Sequence, residues 1–350
     1  MSQRLCQSLS LLLLIGLAAC TTPYKSGRIL PPGQTFPGLT SIVSAEPIDV
    51  ISIHGMCTHD RAWVVKTGQQ MARYLALSYT PPEAAWKTVG ELEIWRNELR
   101  DTGGAIALTD YAILWSKLTA AKKRTLCYDS GMKTASCDRP GDKRRRARIN
   151  NLLKSNLMND CFADAMIYVG PDGDNIRATV RRALGLISDD RRDNENPAAI
   201  ISESLGSKII SDVVRTSPAD DLRALQALAR TRLIFMAANQ IALLDLAERR
   251  DPGVLAPVDT LKALKDAILN FDRHTNALSL DSAIHSVAFS DPNDLLSYEL
   301  ARDDGTSASV RITIAPIWFG LFVDPWHAHT HYLENENVWR FIACGSAKDC

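Results

Sequence analysis

The chain has no net charge, no long apolar span and no internal repeat, and each absence removes a class of function. Lys and Arg number 40, Asp and Glu 40, over 350 residues. No global field therefore draws the protein to a polyanion, and nucleic acid is not expected among its partners. The apolar run from Leu9 to Ala19 is about half of the ~20 residues that a helix needs to cross a bilayer. With Arg4 before it, the run reads as the core of a secretory signal and not as a membrane span. No repeat or low-complexity tract suggests a solenoid or a disordered chain. No H-E-x-x-H or H-x-H-x-D-H pattern offers a ready catalytic zinc site. No metal or cofactor is expected.

What is present points to a folded α/β protein. Hydrophobic residues make up 46% of the chain, enough to bury a large core in one large domain or two small ones. From Ile48 onward, strand-like and helix-like segments alternate, which predicts a mostly parallel central sheet flanked by helices. Strands are expected at Ile48–Ile53, Tyr111–Trp115, Leu233–Met236 and Ser286–Ser290. Ser217-Pro218-Ala219-Asp220 has the cap, first-turn proline and acid of a helix start. Leu222, Leu225 and Leu228 then supply that helix with an apolar stripe. Residues 21–47, with Pro23, Pro31, Pro32 and Pro37, read as a tether without sustained period. Residues 116–160 interrupt the alternation with a basic run, Lys143-Arg144-Arg145-Arg146-Ala147-Arg148, and read as an insertion that could serve as a lid. Such a run is most often a solvated helix face.

Ser202-Glu203-Ser204-Leu205-Gly206 carries the chemistry. The apolar stretch Ala198–Ile201 precedes it, and a helical stripe of Ile209, Ile210, Val213 and Val214 comes after it. A serine between small residues at a strand-to-helix corner projects its hydroxyl above the sheet edge. The Leu205 amide is left free there to bind an oxyanion. Serine is a weak nucleophile and needs a base. His327, His329 and His331 lie just before the last helix pattern, and an acid could come from Asp291 or Asp294. The loop His54-Gly55-Met56, after an early strand, would supply the Met56 amide as second oxyanion donor. His54 itself is expected to shape that turn and not to take a proton. Glu203 should point away from the serine.

These pieces occur in the order Ser, Asp, His. The chain resembles the α/β-hydrolase superfamily over roughly residues 48–345, although Ser202 stands where the usual G-x-S-x-G pattern has its first glycine. Ala328-His329-Thr330-His331-Tyr332 is similar to the histidine loop of esterase-like and lipase-like members. Asp164–Gly170, with the helix pattern after it, resembles the strand and helix that precede the elbow. The resemblance implies a catalytic triad of Ser204, His329 and Asp294, with His331 and Asp291 as the respective alternatives. It implies Met56 and Leu205 as the oxyanion hole and a small-molecule carboxylic ester as the substrate, and the membrane tether and lid expected here favour an apolar acyl group on that ester. Trp318, Phe319, Phe322 and Trp326 read chiefly as core, with the Trp326 end available to an acyl pocket.

Leu17-Ala18-Ala19-Cys20 resembles the lipobox of bacterial lipoproteins. It implies a signal peptide over 1–19, a lipidated Cys20, a tether over 20–47 and a hydrolase domain over 48–350. The implied place is the bacterial cell envelope, in the outer membrane given Thr21 at the sorting position. Setting aside Cys6 and Cys20, six of the eight cysteines remain for an oxidising compartment. Their spacing suggests Cys127 with Cys137 and Cys344 with Cys350, leaving Cys57 for Cys161. Two rival readings exist: a metal-dependent hydrolase built on His327, His329 and His331 in an extended loop, and a catalytically inactive binding or assembly lipoprotein. Asp172-Gly173-Asp174-Asn175 reads as a turn and helix cap.

Overall fold

A computed structural model describes residues 21–22, 27–139, 141, 146–192, 195–218, 221–247, 259–275, 283–300, 305–315, 317–318 and 323–346. The signal segment and Cys20 lie outside these residues, as do Lys143–Arg145, Phe319, Phe322 and Cys350. A ten-stranded sheet organises the described chain. Its strands are β1 (Arg28–Leu30), β2 (Ile48–Ile53), β3 (Ser78–Tyr79), β4 (Lys87–Val89), β5 (Leu92–Arg100), β6 (Ile106–Leu114), β7 (Ala198–Glu203), β8 (Thr231–Ala237), β9 (His285–Ser290) and β10 (Ser307–Arg311). Their spatial order is β1-β10-β9-β8-β7-β2-β6-β5-β3, with β4 beside β5. From β10 to β6 all pairings are parallel. The outer strands β1, β5, β3 and β4 pair antiparallel.

Strand sequence explains the sandwich. Every residue of β2 and of β7 is buried, as parallel strands covered on both faces must be. Side chains alternate between two cores: Ile51, Ile53 and Ile200 enter one, while Ile48, Val50 and Ile201 enter the other. On the first side pack α4 (Gly173–Asp190), α5 (Leu205–Arg215) and α6 (Thr260–His274). On the second lie α1 (Arg61–Tyr74) and α8 (Glu336–Cys344). Two buried polar groups are well partnered: Arg191 Nε donates to Asp49 at 2.8 Å, and Ser52 and Asn97 both donate to Asp110 at 2.7 Å.

The winding of the chain fixes where a site can form. From β2 the chain crosses to the outer edge at β3, comes back through β5 to β6 beside β2, then passes to β7 on the other side of β2 and proceeds through β8, β9 and β10. The loops leaving β2 and β7 therefore diverge, opening a crevice at the carboxyl ends of the strands.

Three sequence expectations are corrected. Residues 164–170 are not a strand: α3 spans Ala163–Val169, and Cys161 sits in a π-helical segment, Leu153–Phe162. A short apolar run carries no decisive period, and here Asp164 turns inward to Lys123 Nζ at 3.1 Å. The helix expected from Pro218 forms only at Arg223–Ala227. Ser217 instead donates to the Val213 carbonyl at 2.7 Å, closing α5. Residues 28–47 are not a free tether, since β1 joins the sheet and Phe36, Leu39 and Ile42 are core residues.

The insertion begins with α2 (Lys117–Arg124) and is fastened near its ends. Buried Lys123 contacts Asp160 at 3.0 Å, Asp164 at 3.1 Å and Thr58 Oγ1 at 3.0 Å. Disulfides join Cys57 to Cys161 and Cys127 to Cys137. Cys344 is also disulfide-bonded; its expected partner Cys350 lies outside the described residues.

Candidate active site

Ser204 occupies the corner between β7 and α5 with φ 51° and ψ −122°, a conformation that costs a non-glycine residue about 1–3 kcal/mol. Close backbone packing holds it there. A Cβ on Gly55 would lie 2.6 Å from Ser204 Cβ, and one on Gly206 would lie 2.7 Å from the His54 carbonyl oxygen. Glycine at both positions is therefore a steric requirement. Ser202 is tolerated where the usual pattern has glycine because its hydroxyl is satisfied. It lies 2.9 Å from Ser207 Oγ and donates to the Phe235 carbonyl at 3.2 Å.

His329 arrives on α7 (Pro325–Thr330), whose start is fixed by Asp324 accepting from the Trp326 amide and by Pro325 at the first turn. Its Nε2 is 2.9 Å from Ser204 Oγ. Its Nδ1 is 2.9 Å from each carboxylate oxygen of Asp294. A carboxylate can only accept, so Nδ1 carries the proton and Nε2 is left to accept from the serine. All three residues are buried. Asp294 is held in turn by the Leu296 amide at 2.9 Å and the Tyr332 hydroxyl at 3.1 Å.

The alternatives are separated by this geometry. Asp291 accepts from the Asn293 amide at 2.8 Å and the Ile314 amide at 2.6 Å, which makes it the residue that shapes the loop around Asp294. Its own amide donates to Tyr332 Oη at 2.6 Å. Tyr332 thus links both aspartates. His331 does not reach the serine. Because α7 is helical and not extended, His327 and His331 stack with centroids 3.7 Å apart while His329 points the other way. Burial, followed by the neighbouring His327, lowers the His331 pKa. Among the described residues, no three His, Cys, Asp or Glu side chains gather as metal ligands.

His54 is structural. Its Nε2 accepts from the Trp115 and Ser116 amides at 2.9 and 3.2 Å, and its Nδ1 donates to the Gly55 carbonyl at 2.8 Å. The ring stacks between His59 and Trp115, and burial pushes its pKa well down. It fixes the loop that carries Met56. Leu205 is the first residue of α5, so its N–H has no acceptor within the helix.

Two neighbours of the triad complete its surroundings, and one of them carries almost no sequence signal. Gln240 is buried just beyond β8, with Nε2 3.4 Å from His329 Nε2. Its only mark in the sequence is that of a polar residue at a strand's carboxyl end. Glu203 accepts from Trp63 Nε1 at 3.2 Å and lies 4.0 Å from His59 Nε2, directed away from the serine as expected. Burial raises its pKa to about 7, opposed by the Trp63 hydrogen bond and by His329. The folded chain thus holds a proton that the unfolded chain loses near its ordinary value of 4.5. This contribution is complete below about pH 4.5 and is lost as pH rises to about 7. Compared with Glu203→Gln, the native protein should lose about 2–3 kcal/mol of stability across that window, read by urea unfolding at successive pH values. A constant difference between the two proteins would show that Glu203 titrates normally.

Neither the family models nor the curated proteins compared with this chain match it.

Proposed function

We propose that the protein is a serine hydrolase of the α/β-hydrolase type that cleaves carboxylic esters through an acyl-enzyme. The observation that carries this reading is the continuous line from Asp294 through His329 to Ser204, ending on a strained strand-to-helix corner. Supporting it, the nucleophile comes after β7, the acid after β9 and the base after β10, so all three meet at one sheet edge.

In this mechanism Ser204 Oγ attacks the ester carbonyl carbon as His329 Nε2 takes its proton. Asp294 stabilises the imidazolium that forms. The Met56 and Leu205 amides receive the oxyanion, a type of contact worth roughly 3–4 kcal/mol per donor in barrier height. The tetrahedral intermediate collapses, and the alcohol leaves with the proton from His329. Water, deprotonated by the same nitrogen, then attacks the acyl carbon and restores Ser204.

An apolar acyl ester is the substrate class favoured. Half-buried Trp326, on α7 three residues before His329, packs against the core and is the side chain we assign to meet an acyl chain. Lys123 and the Cys57–Cys161 bond fasten the insertion at two places, so the stretch between them is the part left to act as a lid. Lipidation of Cys20 would hold the enzyme at the bacterial outer membrane. No helix among the described residues is long and apolar enough to cross it.

Treatment with a fluorophosphonate should label one residue, Ser204, as mapped by peptide mass spectrometry. Absence of labelling would favour an inactive binding protein. Turnover of p-nitrophenyl esters should rise with acyl length and exceed that of peptide amides. A flat series would remove the acyl pocket while leaving the triad.

A further inference from the structure

The N-terminal segment meets the sheet at an informative end. β10 runs in the same direction as β7, and Ser204 comes directly after the carboxyl end of β7. Arg28 pairs with Arg311, the last residue of β10, and Leu30 with Ser309. The chain therefore comes in over the carboxyl edge of the sheet. Upstream, Thr21–Thr22 pair antiparallel with Ile317–Trp318, within the connection from β10 to α7 and His329. Both ladders place this entry on the edge that holds Ser204, His329 and Asp294.

Large apolar side chains stand exposed on that same edge. Leu246, in the connection after β8, is 76% exposed, and Leu295, after β9, is 73% exposed. The two loops are clamped together, with the Tyr298 amide donating to the Asn239 carbonyl at 2.8 Å and Asn239 Nδ2 to the Tyr298 carbonyl at 3.1 Å. Tyr298 is itself 40% exposed. Leucines in this state on a rigid rim favour an apolar environment.

We infer that this edge lies against a lipid bilayer, with Ser204 facing the membrane from which its ester is drawn. The inference rests on the reading of Cys20 as the lipidated residue. Acyl chains there are attached one residue before Thr21, ~3.8 Å along the backbone, and Thr21 is paired within the connection that leads to α7. Several acyl chains make the attachment durable. The short connection to β1 then sets which side of the domain is drawn to the surface, and Leu246 and Leu295 are the side chains that meet it.

The test uses the full lipidated chain in phosphatidylcholine–phosphatidylglycerol vesicles that contain a doxyl-lipid quencher. Leu246→Cys and, in the connection from α5 to β8 at the opposite edge, Leu222→Cys are each labelled with the fluorophore NBD. The label at 246 should be blue-shifted and quenched several-fold more than the label at 222. A chain that floats with the vesicles but shows equal quenching at both positions overturns the orientation and leaves the anchor standing. A chain that does not float overturns the anchor and the orientation together. Ser204→Ala in the same background should give the same quenching, which keeps this result separate from that of the catalytic reading.

Discussion

Ser204→Ala is expected to lower kcat for ester hydrolysis about 10⁶-fold while leaving the unfolding curve almost unchanged. The size of the effect comes from the arrangement of the site. His329 and Asp294 have no work without the hydroxyl, so removing one oxygen atom removes the whole relay. The fold should survive because alanine has the same Cβ as serine and can occupy the φ 51° corner at a similar cost. His329→Ala should cost as much, whereas His331→Ala should retain most activity, since its ring stacks on His327 away from the serine. Asp294→Asn should lower kcat about 10⁴-fold by favouring the wrong imidazole tautomer. These rates are read with short p-nitrophenyl esters, and turnover by Ser204→Ala at the native rate would exclude the mechanism.

Removing the Cys57–Cys161 bond should have the largest effect on stability. The bond closes a loop with a sequence separation of 104 residues, and cross-linking a loop of that size restricts the unfolded chain by about 4–5 kcal/mol. The pair Cys57→Ser and Cys161→Ser should therefore lower the urea midpoint by the equivalent of about 4–5 kcal/mol, a third or more of the total stability of an ordinary domain. The native contacts around it would not compensate. Thr58 and Asp160, the residues adjoining the two cysteines, already bond to each other at 2.6 Å in the native protein, so that hydrogen bond gains nothing when the sulfurs are parted. A midpoint change equivalent to under ~1 kcal/mol would show that the unfolded chain is already compact there.

The site was more legible in the sequence than the architecture that carries it. Ser204, His329 and Asp294 lie at junctions where apolar strands end, and strand ends are marked by an abrupt change in composition. The preference for Asp294 over Asp291 had little local support, because both carboxylates come after β9; the structure divides their roles by giving Asp294 to His329 Nδ1 and Asp291 to the Ile314 amide. The helical nature of Ala163–Val169 was hidden because Lys123, the partner of its Asp164, comes from a distant part of the chain. Lys123 shows the same limit. In the run Lys122-Lys123-Arg124 the three residues look equivalent, yet only Lys123 is buried. Local sequence records the charge and says nothing of which carboxylates fold over it.

The pairing of β1 with β10 has a consequence for how the protein is made. Gln34 Nε2 donates to the Ser307 carbonyl across a separation of 273 residues, so distant parts of the polypeptide are joined in the finished sheet. On the reading of an exported lipoprotein, the chain emerges from its N terminus first, and Arg28–Leu30 must wait unpaired until almost all of the remaining residues have crossed. Contacts of such range are slow to form, because chain entropy is lost before any bond is gained. Final closure of the sheet is thus a late event in biogenesis, and chains cut short before Ser307 would reach the envelope with two open strand edges and a need for chaperones.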